Sequence, residues 1–348
     1  VVSCPCALVI SIPLSFFSGI GGASKAGILV KGSNYLELLG KAKIAVFDKT
    51  GTLTKGVFKV VETCANGISE DDLLELAAYG EYYSNHPIAA SIKAAYKGTV
   101  QIDHLDGYEE ISGMGIKVLK DGKEVLVGNK KLLDSRKISM AGAKQPSKVG
   151  TVLFVAENGA YKGCITIADE IKDGVKDAIA SIKKCGIDNV VMLTGDKKEV
   201  ADSVAKELGI DTVCAELMPG DKVDKVEQLL REKDEDSTLI FTGDGINDAP
   251  VLMRADVGIA MGAMGQDAAI EAADIVLIDD DPGKIAVAYA IARKTVRIVQ
   301  QNIVFALAVK IIVMVLGALG FANMWAAVFA DVGVAFLAII NATRALKP

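Results

Sequence analysis

The fold of this chain is decided by one stretch, Asp48-Lys49-Thr50-Gly51-Thr52-Leu53-Thr54. The apolar residues before it, 44–47, predict a buried strand that ends at Asp48. Such a strand holds the Asp48 carboxylate at the carboxyl edge of an α/β sheet, where these sheets place their chemistry. A carboxylate in that position can attack phosphorus and become an acyl phosphate. The alternative is an ordinary strand followed by a Gly/Thr turn.

Composition limits the class of protein. At 348 residues the chain is too long for one compact core, so two or three units are expected. The net charge of −6 provides no basic surface for nucleic acid, which we therefore exclude as a partner. Hydrophobic residues make up 51% and the mean hydropathy is +0.35, with the excess concentrated at the two ends. The six cysteines are not arranged like a secreted disulfide framework. Because the first residues are apolar and lack an initiator Met, we expect the later part of a longer protein.

The first 24 residues carry no charge, and as a helix they would span roughly 36 Å, enough to cross a bilayer. A signal peptide is the alternative, but the charged region that should precede its apolar part is absent. This segment contains Cys4-Pro5-Cys6. Proline predicts a helix kink, and thiols beside a kink can bind a soft metal ion. The alternative is that the two cysteines are buried near a kink and bind no metal.

A second apolar region follows near the end of the chain. Between 298 and 343 the only charged residues are Lys310 and Asp331, and the length allows two spans, 303–322 and 325–345, joined by a turn at 320–323. Basic residues flank these apolar regions. They predict an integral membrane protein, with residues 25–297 cytoplasmic and the plasma (inner) membrane as its location.

The charged middle of the chain contains two regions with different patterns of predicted strands and helices. From 163 onward apolar strands alternate with helices, and two strands end in Thr194-Gly195-Asp196 and in the motif at 242–250. Parallel strands joined by helices predict a doubly wound sheet. Residues 59–162 instead predict an inserted α+β domain, with a helix at 70–80 and a hairpin around Asp121-Gly122.

The Asp48 stretch resembles the phosphorylation signature of P-type ATPases, and Cys-Pro-Cys ahead of it resembles their heavy-metal-transporting subgroup. The order of the strand-end motifs resembles the haloacid-dehalogenase superfamily, to which P-type ATPases belong. The resemblance implies an α/β haloacid-dehalogenase-like doubly wound parallel sheet with an inserted α+β nucleotide-binding domain, flanked by transmembrane helices. The expected segments are a membrane helix at 1–24, a phosphorylation domain at 25–58 and 163–297, a nucleotide-binding domain at 59–162, and two membrane helices at 298–348.

This resemblance implies ATP and Mg²⁺ as cofactors and Asp48 as the nucleophile. Asp48, Asp244 and the backbone carbonyl of Thr50 would hold Mg²⁺, a hard cation that prefers oxygen ligands. Lys222 and Thr194 would hold the oxygens of the transferring phosphoryl group. The rest of the expected catalytic site consists of Lys49, Gly195, Asp196, Asn247 and Asp248, the last supporting the metal ligands.

The inserted domain carries a second set of residues that resembles the nucleotide domain of the heavy-metal subgroup. There Glu81 and His86 would flank the adenine, with Ser84 between them, and glycines would let the backbone approach it. These glycines are Gly113, Gly115 and Gly128. The alternative is a helix end plus a hairpin. His104 has no motif around it and is interpreted as a surface residue.

The side chain at position 50 distinguishes an ion pump from a phosphatase. Phosphatases of this superfamily carry a second acid two residues after the nucleophile, and Thr50 stands there instead. The acyl phosphate is therefore expected to hydrolyse slowly. In the family the missing base comes from an actuator domain with a Thr-Gly-Glu loop, which these 348 residues do not contain. We expect the actuator domain and the earlier spans elsewhere in a longer parent, and a chain that phosphorylates better than it turns over.

The transported ion is predicted from the membrane segments. An ionisable group inside a membrane is a functional candidate, so Asp331 is assigned with Cys4 and Cys6 as an ion ligand, and Lys310 as counter-ion. Two thiolates and a carboxylate suit Zn²⁺, Cd²⁺ or Pb²⁺, with Co²⁺ not excluded. The pair of Lys310 and Asp331-Val332-Gly333 resembles the zinc/cadmium/lead branch. A salt bridge between Lys310 and Asp331 without any ligand role is the alternative.

The expected function is ATP-driven export of Zn²⁺, Cd²⁺ or Pb²⁺ through an aspartyl phosphate on Asp48, with membrane lipid, ATP and the ion as partners. Three alternatives stay open: a copper pump, a membrane-anchored phosphatase, and a non-catalytic metal-binding membrane protein. Thr50 argues against the phosphatase, and the intact Asp48, Lys222 and Asp244 argue against the non-catalytic protein.

Overall fold

The structure is a computed structural model that describes residues 6–144, 146–244, 248–262, 267–321 and 324–347. The chain divides into two compact units. Unit 1 comprises Val1–Leu53 and Lys172–Pro348, and unit 2 comprises Thr54–Ile171. Unit 2 extends somewhat beyond the predicted insertion at 59–162 in both directions, because its first and last strands are longer than their apolar cores.

The strands of the described residues are, in chain order, β1 (Ile28–Val30), β2 (Ala42–Asp48), β3 (Thr54–Ala65), β4 (Leu105–Ile111), β5 (Gly115–Lys120), β6 (Lys123–Gly128), β7 (Thr151–Glu157), β8 (Ala160–Ile171), β9 (Asn189–Leu193), β10 (Thr212–Cys214), β11 (Thr238–Gly243), β12 (Val257–Met261) and β13 (Ile275–Leu277). The α-helices are α1 (Cys6–Lys25), α2 (Ser33–Gly40), α3 (Glu70–Gly80), α4 (Pro87–Ala95), α5 (Lys130–Ser135), α6 (Val175–Lys184), α7 (Lys198–Leu208), α8 (Pro219–Glu232), α9 (Ala249–Arg254), α10 (Asp267–Ala272), α11 (Gly283–Ala318), α12 (Met324–Val328) and α13 (Val334–Thr343).

Unit 1 contains the predicted doubly wound sheet, in the order β1-β13-β12-β11-β2-β9-β10. All neighbouring strands in it are parallel except the edge pair β1 and β13. Ala45, Val46 and Phe47 of β2 are buried, as expected of a strand covered on both faces. Because β2 lies between β9 and β11, the three strands bring Asp48, Thr194 and Asp244 to one edge.

Unit 2 is an antiparallel sheet in the order β3-β8-β7-β6-β5-β4 with helices on its faces. Val127 of β6 packs in one core with Leu73 of α3 and Ile92 of α4, whereas Leu126 packs with Leu132 in a second core. This alternation follows the two-residue period of a strand. The predicted hairpin is present, since β5 pairs with β6 around Asp121 and Gly122, which have φ of 50° and 76°.

Among the described residues, three helical segments are long and apolar enough to cross a membrane: Ala7–Lys25, Gly283–Ala318 and Met324–Leu346. The second is longer than the predicted span at 303–322, because α11 starts in the charged region and continues without interruption. The predicted kink at Pro5 and part of the predicted turn, residues 322–323, lie outside the described residues. Helix α1 packs against both α11 and α13.

Candidate active site

Asp48 lies at the end of β2, where it meets a lysine from the first turn of α8. Pro219 starts this helix, and the Asp221 carboxylate accepts the Met218 N–H at 2.8 Å, which caps the helix and sets its first turn. Lys222 Nζ donates to Asp48 Oδ1 at 2.6 Å and to Asp248 Oδ1 at 3.0 Å. Both carboxylates are buried, so one ammonium group bridges two acids that are largely shielded from solvent.

A third acid completes a cluster of carboxylates. Ligand oxygens of Asp48, Asp244 and Asp248 lie within 4.8 Å of one another. Burial, the negative charge of Asp248 and that of Asp244 raise the pKa of Asp48 to about 6, against the opposing effect of Lys222. Burial and the charge of Asp248 also raise the pKa of Asp244. Burial alone would lower the pKa of Lys222, but Asp48 and Asp248 outweigh it and the pKa of Lys222 is raised.

The chemistry of this donor set fits Mg²⁺. Three carboxylates converge, whereas Lys222 pairs with only two of them, Asp48 and Asp248, so their negative charge exceeds the positive charge supplied by Lys222. Hard oxygen donors in this arrangement are those that Mg²⁺ prefers, and a divalent cation would relieve the repulsion that raises two of the pKa values. Asp48 and Asp244, which were predicted as metal ligands, are thus brought together.

The turn after Asp48 requires its glycine. Gly51 has φ +75°, and a Cβ atom at this position would lie 1.6 Å from Asp244 Oδ2. The backbone of the phosphorylation turn (49–53) therefore runs directly against Asp244. Thr50 precedes this glycine and is exposed.

The residues predicted at the end of β9 also reach the Asp48 turn. Lys49 Nζ forms an ion pair with Asp196 Oδ2 at 2.8 Å. Thr194 is buried, and its hydroxyl accepts the Asp196 N–H at 3.1 Å, while Gly195 is exposed. The ends of three neighbouring strands, β9, β2 and β11, thus contribute to one site at a single sheet edge. Asn247, the remaining predicted catalytic residue, lies outside the described residues.

Sequence reasoning missed two residues beside this turn. Lys172 Nζ donates to the Gly51 carbonyl and to Asp280 Oδ1, the latter at 2.8 Å. Asp280 belongs to the stretch Asp279-Asp280-Asp281-Pro282, whose simplest interpretation is a solvated turn before α11. Neither residue belongs to a motif that the sequence shows. Because the two residues are 108 positions apart, their contact could not be predicted from local sequence.

In unit 2 the predicted nucleotide residues have visible structural roles. Glu81 is buried, and burial raises its pKa against the opposing hydrogen bond from Ser84. His86 caps α4, since its Nδ1 accepts the Ile88 N–H at 3.2 Å. Gly115 pairs with Gly128, and a Cβ on either would lie 2.3 Å from a backbone oxygen. The helix-end and hairpin alternative accounts for these contacts, and a nucleotide role stays a prediction.

Gly113 completes that set. Its carbonyl accepts the Asn129 side-chain amide at 2.8 Å, which ties the two glycine-containing turns together. His104, interpreted as a surface residue, is indeed exposed and contacts Asp121.

The predicted ion ligands are only partly described. Cys4 lies outside the described residues, and α1 begins at Cys6. Asp331 lies in the π-helical turn Phe329–Gly333 between α12 and α13, and Lys310 lies within α11. The ion site therefore stays a prediction.

The comparisons with known proteins agree with this geometry. Residues 42–256 match the family model described as a haloacid dehalogenase-like hydrolase. The chain belongs to the haloacid dehalogenase-like hydrolases.

This member of the family is similar to bacterial metal-transporting ATPases. It is 56% identical over 348 residues to a cadmium, zinc and cobalt-transporting ATPase of Bacillus subtilis (strain 168), covering 100% of this chain and 49% of that protein. It is 54% identical over 348 residues to a zinc-transporting ATPase of Synechocystis sp. (strain ATCC 27184 / PCC 6803 / Kazusa), covering 100% and 48%. The chain spans about half the length of the curated relatives it matches.

Solved structures of ATPases are also similar to this haloacid dehalogenase-like hydrolase. A zinc-transporting PIB-type ATPase in an E2.Pi state superposes with a TM-score of 0.84 at 35% identity, covering 99% of this chain and 57% of that one. The catalytic domain of the CPx-ATPase CopB-B gives a TM-score of 0.58 at 29% identity, covering 76% and 96%. The predicted resemblance to heavy-metal-transporting P-type ATPases is confirmed.

Proposed function

We propose that this chain is the phosphorylation, nucleotide-binding and distal membrane part of an ATP-driven exporter of soft divalent metal ions. The observation that carries the proposal is the buried Asp48 carboxylate, held 2.6 Å from Lys222 at a sheet edge shared with Asp244 and Asp248. Two metal-transporting relatives that match along the whole chain support the choice of substrate class.

In the proposed reaction an Asp48 oxygen attacks the γ-phosphorus of ATP. A new O–P bond forms, the bond from the γ-phosphorus to the bridging oxygen breaks, and ADP leaves with that electron pair. Lys222 balances charge on the nucleophile before attack and on the phosphoryl oxygens afterwards. The Thr194 hydroxyl lies at the same edge as a further donor. Bound Mg²⁺ would neutralise negative charge between Asp48 and the phosphoryl group, with Asp48, Asp244 and the Thr50 carbonyl as its protein ligands and Asp248 beside them.

The product of this step is an aspartyl phosphate that the site cannot quickly release. Thr50 occupies the position of the second acid and has no carboxylate to activate water. A long-lived intermediate gives time for a conformational change to use its free energy. The base for hydrolysis would come from another domain of a longer parent.

The proposed cargo is Zn²⁺ or Cd²⁺, with Pb²⁺ and Co²⁺ as further candidates, bound as substrate by Cys4, Cys6 and Asp331 and balanced by Lys310 when the site is empty. ATP would bind unit 2 through Glu81, His86 and the glycines Gly113, Gly115 and Gly128. We place the protein in the plasma (inner) membrane with residues 25–297 in the cytoplasm, because apolar helical segments precede and follow the charged middle of the chain.

The test is phosphorylation of the detergent-solubilised chain with γ-labelled ATP, Mg²⁺ and Zn²⁺. The expected result is a protein-bound label that survives acid and is released by hydroxylamine, as an acyl phosphate should be. Asp48→Asn should abolish it. A chain that acquires no label, or one whose Asp48→Asn variant labels equally, would contradict the proposal.

A further inference from the structure

Lys172 is a buried lysine that the reaction above does not use. Its side chain is 7% exposed, although it is the first residue of unit 1 after β8. Burying an ammonium group costs free energy unless it is paired and hydrogen-bonded. Its position therefore needs an explanation in terms of what it contacts.

Both partners of the ammonium lie at the active site. Nζ donates to the Gly51 carbonyl and to Asp280 Oδ1, the latter at 2.8 Å. The backbone N–H of Lys172 also donates to the Leu53 carbonyl at 3.0 Å. Lys172 thus holds the middle of the phosphorylation turn with its side chain and the end with its backbone.

This turn has little freedom to shift. Gly51 adopts φ +75° with its α-carbon against the Asp244 carboxylate, so a displacement of Gly51 displaces Asp244 or leaves a gap beside it. Lys172 therefore contacts the turn directly, and its effect on Asp244 passes through Gly51.

We propose that Lys172, held by Asp280, is a positioning residue for phosphoryl transfer, which fixes the phosphorylation turn so that Asp48 and Asp244 keep their relative places. The inference rests on the proposed function, since it concerns the same reaction. It assigns no contact with ATP to Lys172. The residue acts through Gly51.

Substitution of a lysine that only stabilises the fold would lower stability without slowing phosphorylation. Lys183 provides the matched control, because its Nζ donates to the Gly209 carbonyl at 2.7 Å and to Asp211 Oδ1 at 2.5 Å. This is the same pair of partner types on a turn outside the active site. Removing either ammonium should cost some stability, but only Lys172 should affect the phosphorylation step.

The experiment measures the rate of Asp48 labelling from γ-labelled ATP, the affinity for a fluorescent ATP analogue and the melting temperature in the full chain. Lys172→Met should slow labelling up to about 100-fold, the scale of a misplaced reacting group, with unchanged nucleotide affinity. Lys172→Arg, which keeps the charge and both donors, should restore most of the rate. Lys183→Met should label at the wild-type rate.

Asp280→Asn provides a second variant, in case Lys172→Met does not fold. It keeps the contact with Gly51 and should slow labelling by about 10-fold. The inference is overturned if both Lys172→Met and Asp280→Asn label at the wild-type rate, or if Lys172→Arg is as slow as Lys172→Met. A wild-type chain that acquires no label overturns the proposed function itself, which separates the two failures.

Discussion

At the scale of single residues, the ionisation of Asp48 links the active site to stability. Its pKa is raised to about 6 from the usual 3.8, so the folded state favours the protonated acid. The protonated Asp48 carboxyl contributes fully to the stability of the folded state at pH values below its pKa in the unfolded chain. This contribution is lost as the pH rises toward about 6, its pKa in the folded state. Ionisation of Asp48 is therefore expected to destabilise the folded state when no cation is bound.

Asp48→Asn should stabilise the Mg²⁺-free chain above pH 6, because asparagine cannot ionise. The difference in melting temperature from the wild type should grow between pH 4 and 6 and then stay constant. It should correspond to a free energy of unfolding of the order of 1–3 kcal/mol. Thermal unfolding in a chelator, followed across this pH range, measures it.

Asp202→Asn, on the exposed face of α7, is the control, and its difference from the wild type should stay small across the range. A stabilisation by Asp48→Asn that is equal at pH 4 and pH 7 would show that the ionised carboxylate is not the cause.

Gly51→Ala tests the close contact between the phosphorylation turn and Asp244. The added Cβ would meet Asp244 Oδ2 at 1.6 Å, in addition to the strain of φ +75°. We expect a loss of about 1–3 kcal/mol of stability beyond the backbone strain, and loss of phosphorylation. Thermal unfolding and labelling with ATP measure the two effects.

Gly174→Ala separates the strain from the clash. Gly174 has φ +79°, and a Cβ added there would meet no atom within 4 Å, so alanine should cost only about 1 kcal/mol. Equal effects of the two substitutions would show that the contact with Asp244 carries no extra cost.

Individual site residues were predictable where they follow an apolar strand. Asp48, Thr194 and Asp244 all lie at strand ends, and parallel strands bring such ends together. Lys172 and Asp280 were not predictable, since their contact depends on how two distant segments meet. A lysine in a charged stretch is ordinarily exposed, and no local pattern distinguishes this one.

At the scale of elements, the buried amide of Asn302 links helices α1, α11 and α13. Asn302 of α11 is buried; its amide donates to the Ala338 carbonyl at 3.1 Å, and its oxygen accepts from Asn341 at 2.9 Å. The same amide reaches the Ser15 hydroxyl of α1 at 3.4 Å. Polar side chains of this kind hold membrane helices together where apolar packing alone does not discriminate.

Asn302→Ala should therefore weaken the association of α1, α11 and α13 by roughly 1 kcal/mol. Unfolding in mixed detergent micelles, followed by circular dichroism, measures the loss. Gln300→Ala, on the exposed side of α11, should have little effect. Equal losses for both variants would contradict a specific role for the buried amide.

The elements differed in how well they could be predicted. The central parallel strands β2, β9 and β11 were predicted closely, because a strand buried on both faces is apolar throughout. The short edge strand β10 was not predicted. Strands β3 and β8 carry charged residues that face solvent. The residues at which unit 2 begins and ends could therefore not be predicted from an apolar pattern. A helix was predicted after the turn at 279–282, but its continuation into the span at 303–322 was not, because its first turns are amphipathic and only the later ones are mainly apolar.

At the scale of the whole molecule, the proposed ion ligands and the proposed nucleotide ligands belong to different units. Asp331 precedes α13 in the apolar part of unit 1, whereas Glu81 and His86 belong to unit 2. Asp331→Ala should therefore abolish Zn²⁺ binding, measured by equilibrium dialysis, and leave the affinity for a fluorescent ATP analogue unchanged. Val332→Ala, at an exposed neighbouring position, is the control, and full Zn²⁺ affinity in Asp331→Ala would refute the assignment.

The central claim is that Asp48 itself carries the phosphoryl group, and chemical mapping tests it most directly. Borohydride reduces an aspartyl phosphate to homoserine, which mass spectrometry locates in the digested chain after incubation with ATP, Mg²⁺ and Zn²⁺. We predict homoserine at position 48 and an unmodified aspartate at 244 and 248. Homoserine at either of those positions, or a phosphate that remains on a serine or threonine, would contradict the claim.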